Sequence, residues 1–99
     1  MASVKNLKKD IDLIMSLALS DCFYVMEYNP NVDEKAVMKI AGDIIRIHRE
    51  LRLKVNHPDG KDNPKLVKQF YKKLVKDTLQ AADNCLEKLS SEVKKVAKD

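Results

Sequence analysis

Two histidines, two cysteines and a scatter of carboxylates are the residues in this chain that could make or break bonds, and their spacing does not assemble a site. His48 and His57 would lie about two and a half turns apart on a common helix, too far to share a metal ion. His48 also falls in a run of apolar residues at helical spacing, so it is expected as a hydrogen-bonded histidine in or beside a core. Asp12 and Asp21 are nine residues apart and do not form the paired carboxylate face that general acid–base chemistry uses. Asp77 and Asp83 read as solvated. Cys22 and Cys85 have no CxxC or Cys/His companion, which argues against zinc and for reduced, mostly buried thiols of a cytoplasmic protein. There is no glycine-rich phosphate loop and no nucleophile motif. The expectation is a protein that is not an enzyme, with no catalytic residues, no metal and no cofactor.

What the sequence does concentrate is positive charge. The formal charge is +4 and the pI about 9.1, which permits acidic partners without requiring them. From Pro64 to Lys76 there are five lysines and no acid. Arg49, Arg52, Lys61, Lys65, Lys68 and Lys72 are therefore candidate anion-binding residues, joined at one end of the fold by Lys5, Lys8, Lys9, Arg46 and Lys54. Cations at the start of a helix oppose its dipole by a few tenths of a kcal/mol, so a sequence chosen for stability alone would place acids there. The functional reading is contact with phosphate, nucleic acid or an acidic protein surface. The plainer reading is a solvated face, and the patch lacks the interleaved aromatics of single-strand binders, Tyr71 being the one nearby candidate.

Three segments must position these groups. A first helix is predicted at about 3–28, capped by Ser3, with Val4, Leu7, Ile11, Ile14, Ala18 and Val25 on one face and Leu17, Cys22 and Met26 widening it. Asn29-Pro30-Asn31 breaks it, because proline disfavours helical geometry in the residue before it. A second helix is predicted at about 32–56, with Asn31 and Glu34 at the spacing of a capping box. Its stripe is Val37, Ile40, Ala41, Ile44, Ile47, His48, Leu51 and Val55. Gly42, mid-helix, costs about 1 kcal/mol relative to alanine. Level with Ala18 in one neighbour and near Ala81 and Ala82 in the other, it is expected to mark a narrow layer. A third helix is predicted at about 64–97, with Asn63 as cap and Pro64 at the first position, where its missing N–H costs nothing. Its stripe runs through Val67, Phe70, Tyr71, Leu74, Thr78, Ala81, Cys85, Leu89, Val93 and Val96.

Ninety-nine residues suffice for one domain with one core, and short connections make consecutive helices antiparallel neighbours. The predicted fold is all-α, an antiparallel up-down-up three-helix bundle with a long third helix. Cys22 and Cys85 fall at similar heights, but axes about 8–10 Å apart are wider than most disulfides allow. A third helix of about 50 Å against about 37 Å for the others should overhang by about nine residues. Leu89, Val93 and Val96 would then lack a partner within the monomer. Such a stripe frays or meets another chain, which makes these three the candidate self-association residues of a homodimer.

The start, with Lys5, Lys8 and Lys9 before Leu13 to Leu19, resembles a signal peptide, but Asp10 and Asp12 interrupt it and Ser20-Asp21 is no cleavage site. No apolar run approaches the roughly 18 residues of a membrane span, so no membrane association is expected. Between the second and third helices, Pro58-Asp59-Gly60 has the composition of a turn, and His57 is placed to cap the second helix. His57-Pro58-Asp59, preceded by a basic helix with Arg49, Arg52 and Lys54 and followed by Asn63-Pro64, Phe70 and Leu74, also resembles the J-domain signature. That resemblance implies a loop in which His57, Pro58 and Asp59 touch a heat-shock ATPase. Asn56 is an extra residue before the histidine, and the long first helix lacks the family's Tyr-x-x-Leu-Gly opening. Across most of the chain, the Asn-Pro turn and the Val-Asn-His-Pro…Asn-Pro-Lys linker look like a set of small bacterial all-helical proteins of unknown function. The functional readings are thus a self-associating interaction or assembly module, an anion or nucleic-acid binder, and a J-domain-like co-chaperone.

Overall fold

The three-dimensional structure, a computed structural model, describes residues 4–56 and 63–96, with side chains from residue 6 onward in the first helix. Among these residues the chain forms α1 (Val4–Tyr28), α2 (Glu34–Asn56) and α3 (Pro64–Val96), each packed against the other two. Ser3 and its capping role lie outside the described residues, as do the side chains of Val4 and Lys5. No described helix is long and apolar enough to cross a membrane.

Local chemistry sets the helix ends. The Asn29 backbone N–H (2.9 Å) and its side-chain amide (3.1 Å) both donate to the Val25 carbonyl, closing α1 just before Pro30. The cap of α2 is Asp33, not Asn31: its Oδ1 accepts from the N–H groups of Lys35 (3.1 Å) and Ala36 (3.3 Å). The expected box of Asn31 and Glu34 therefore gives way to a start two residues later. Val32 is the reason. Its side chain is buried, as is that of Val37, and the two hold the positions of a hydrophobic staple around an Asp33 cap. The Asn63 cap of α3 is as expected, with its Oδ1 accepting from Lys65 (3.0 Å) and Leu66 (3.4 Å) and Pro64 in the first turn.

The bundle is slender, 56 Å long and 19 × 17 Å across. Asp12, in the first half of α1, meets His48, in the second half of α2, so these helices run antiparallel. The Tyr71 hydroxyl donates to the Val55 carbonyl at 3.4 Å, tying the start of α3 to the end of α2. The core is one cluster along this length, with Leu7, Ile11 and Met15 from α1, Ile44, Leu51 and Val55 from α2, and Leu74, Cys85 and Leu89 from α3. Buried Thr78 satisfies its hydroxyl on the Leu74 carbonyl of its own helix (2.8 Å).

Three expectations change. Met15 takes the core position, and Leu17, expected to widen the stripe, is 58% exposed. Ala18, Ala41 and Ala82 are buried in the core cluster, whereas Gly42 is exposed and a Cβ there would meet nothing within 4 Å. The close approach expected at Gly42 is thus not made there, and the small residue that α2 gives to the core is its neighbour Ala41. Finally, α3 does not overhang where its last apolar residues lie. Leu89 is only 4% exposed, Val96 packs on the core cluster and Val93 is half-buried. The first residue of α3 to be fully buried is Leu74, so the surplus length lies at the Lys-rich Pro64 end. Setting Phe70–Val96, rather than Pro64 onward, against the other helices buries the apolar part of α3 and leaves lysines in water. Leu89, Val93 and Val96 are core and core-edge residues, and the premise for self-association through them is removed.

Candidate interaction surfaces

The two chemically loaded segments of the sequence resolve differently. His48 is half-buried, and its Nε2 donates to Asp12 Oδ1 at 2.6 Å, while Arg52 Nε lies 3.6 Å from the same oxygen. His48 and Arg52 sit one turn apart on α2, so one carboxylate of α1 clamps two side chains of its neighbour. The imidazole–carboxylate pair has the components of general-base chemistry, but among the described residues no nucleophile is hydrogen-bonded to it and no group of three could hold a metal ion. The contact is a bridge between helices. Sequence reasoning placed His48 at the core edge and missed Asp12 as its partner, because the pairing depends on the register between two helices.

Of the candidate anion-binding residues, Arg52 is turned toward Asp12, and its neighbour Arg46 pairs with Glu50 (3.2 Å) and Asp43 (3.8 Å) on its own helix. Arg49, Lys65, Lys68 and Lys72 are exposed, and no described carboxylate pairs with them. The three lysines recur at helical steps and share one side of the part of α3 that precedes the buried stretch. Lys61, like His57, Pro58 and Asp59, lies outside the described residues.

A third surface was not assigned as one from the sequence. Leu13, Leu17, Tyr24 and Tyr28 are 59%, 58%, 58% and 70% exposed. At about 100° per residue they form one line along α1, roughly 130° around the helix from the buried stripe. Tyr24 and Tyr28 stack, ring centroids 5.6 Å apart and planes at 11°. α1 is therefore apolar on two sides, one used by the bundle and one facing solvent. The signal was the second apolar period on α1, one member of which, Leu17, had been given to the core.

Cys22 and Cys85 are free and buried. Burial is the main cause raising both thiol pKa values, and the two sulfurs' mutual repulsion, then Asp21, adds to it at Cys22; at Cys85, Lys88 pulls the other way. Neither is a poised nucleophile. Compared with known protein families, curated proteins and solved structures, the chain shows no match.

Proposed function

We propose that the protein is a small helical interaction module that docks through the outward face of α1. One observation carries this: Leu13, Leu17, Tyr24 and Tyr28, each more than half exposed, lie in line on a helix whose other side is already committed to the core. Single exposed apolar residues are ordinary, whereas a contiguous apolar stripe of this kind marks an interaction site. The stacked tyrosines are held by each other, so docking them sacrifices little rotamer freedom, and their ring-plus-hydroxyl chemistry suits a contact that is exchanged with water. The test is a photo-reactive phenylalanine analogue at Tyr24 and, as control, at exposed Asp83 on α3. Protein adducts of defined mass are expected in cells from position 24 and not from position 83. No adduct at 24, or the same adducts at both, refutes the reading.

A second reading rests on Lys65, Lys68 and Lys72, exposed without described acidic partners on the first three turns of α3. It is weak polyanion binding whose affinity falls steeply with salt. Replacing the three lysines with glutamine should weaken heparin or DNA binding while leaving helicity unchanged, and unaltered affinity removes the idea.

A further inference from the structure

The outward face of α1 is self-complementary, and we infer that its occupant is a second copy of the chain, packed antiparallel α1 to α1 about a twofold axis. The inference rests on the interaction reading above and names its partner.

The first ground is register. Leu13, Leu17, Tyr24 and Tyr28 follow one another at steps of four, seven and four residues, with Ser20 filling the gap in the line. When the two helices run in opposite directions with Leu13 level with the second copy's Tyr24, Leu17 comes level with the second copy's Ser20. Leu13 then meets Tyr24 and Leu17 meets Ser20 on either side of the dyad, large against small near its centre, while Tyr28 comes level with the second copy's Lys9.

The second ground is charge. Lys9 and Glu27 lie on the same flank of the stripe, both about 70° from its centre at roughly 100° per residue. A twofold axis between antiparallel helices keeps each flank facing its own equivalent. In the register above, Lys9 therefore falls within about one residue rise, ~1.5 Å, of the level of the second copy's Glu27, and Glu27 of the second copy's Lys9. Both side chains are exposed and neither has a described ion-pair partner within the monomer. Parallel pairing would turn this flank toward the other flank of the second copy and keep Lys9 and Glu27 about 18 residue rises, ~27 Å, apart in height, so only the antiparallel arrangement brings these opposite charges together.

The third ground is size. Four large side chains exposed by more than half reach the ~300–600 Å² of the largest apolar patch on a typical monomer. Two such faces, with their flanks, bring the contact to about 1,000 Å², the lower limit for a specific interface. The dimer is accordingly weak, with dissociation on the order of 10 µM, and populated by concentration or co-localisation.

Sedimentation equilibrium of the purified full chain, from about 1 µM to about 500 µM so as to bracket that constant, tests this. The mass is expected to rise from 11.3 kDa toward twice that value. Leu17→Glu should hold it at the monomer mass across the range, with helicity and melting temperature kept because the side chain faces solvent. Lys9→Glu and Glu27→Lys should each weaken association about threefold to tenfold, and the double exchange should restore it, a rescue that parallel pairing cannot give. A monomer mass throughout overturns the second copy as occupant, while photo-adducts to some other protein at Tyr24 would leave the interaction reading in place. A dimer indifferent to Leu17→Glu, or a double exchange no better than the singles, also overturns it, since association would then use another face or another direction.

Discussion

Gly42→Ala gives a direct measure of whether the outward side of α2 is open. Gly42 is the ninth residue of α2, well inside the helix, and a methyl group there would meet no atom within 4 Å. The substitution therefore adds no clash and no contact within the monomer. What remains is the intrinsic difference between glycine and alanine in a helix interior, about 0.8–1.0 kcal/mol in favour of alanine, much of it from reduced freedom of the unfolded chain. For a chain of 99 residues that gain raises the melting temperature by about 4 °C, and the urea midpoint by about 0.5 M or more at an unchanged slope. Far-UV circular dichroism during thermal and urea unfolding reads both. An alanine variant that is equally stable or less stable refutes the reasoning, because a neighbouring helix or a second chain would then have to occupy the space beside Gly42. A close approach at Gly42, the expectation from the sequence, predicts the opposite sign, so the experiment separates the two packings without a high-resolution structure.

Leu89→Ala should destabilise by about 2–5 kcal/mol, since Leu89 is core, whereas an overhanging tail residue would cost well under 1 kcal/mol; urea unfolding decides. In a double-mutant cycle, Asp12→Ala and His48→Ala should show a coupling of about 0.5–1 kcal/mol, reduced by partial exposure, and strict additivity would mean that the bridge does not form. The two thiols should titrate late. Because their folded pKa values are raised, the associated stability is complete below the ordinary thiol pKa of about 8.5 and is lost as pH climbs from there through the folded values. The wild type should thus lose more stability as pH rises above about 8.5 than a Cys22→Ala/Cys85→Ala variant, and equal losses would contradict the shift. Native thiols should also react slowly with a disulfide reagent until the chain is unfolded.

The parts of this fold that were legible are those decided by neighbouring residues. Asn29-Pro30 and Asn63-Pro64 stop and start helices through hydrogen bonds only a few residues long. The α2 stripe was legible throughout, with all eight residues from Val37 to Val55 buried or half-buried, because the opposite side of α2 is mostly charged. Decisions between equals were not legible. Asn31 and Asp33 are both good caps, and burial of Val32 selects Asp33. Gly42 and Ala41 are adjacent small residues, and which one faces the other helices depends on a rotation of α2 that only packing fixes. The register of α3 likewise required weighing lysines against apolar side chains over its whole length, rather than counting from its first residue. The Asp12–His48–Arg52 bridge follows from that same class of information, the relative height of two helices, and no spacing within one helix encodes it.

The two-sided character of α1 separates stability from function more cleanly than any other feature. In a three-helix bundle each helix can bury one side, and α2 and α3 carry charged residues on much of the other, with exposed Met38, Ile45 and Leu53 on α2 and Leu66 and Leu79 on α3 among them. α1 instead gives Leu7, Ile11, Met15, Ala18 and Cys22 to the core and leaves Leu13, Leu17, Tyr24 and Tyr28 in water. Nothing among the described residues of the monomer rewards that choice. Leucine and glutamate have similar helix propensity, so Leu13→Glu and Leu17→Glu should leave monomer stability within about 0.5 kcal/mol of the wild type, as for surface positions generally. The same changes place charges in the middle of the proposed contact and should abolish it. Loss of association with stability intact would show that the outward stripe is held for a partner. Loss of stability measured at sub-micromolar concentration, where no dimer is populated, would mean that these leucines support the bundle itself, and the interaction reading of α1 would fall with them.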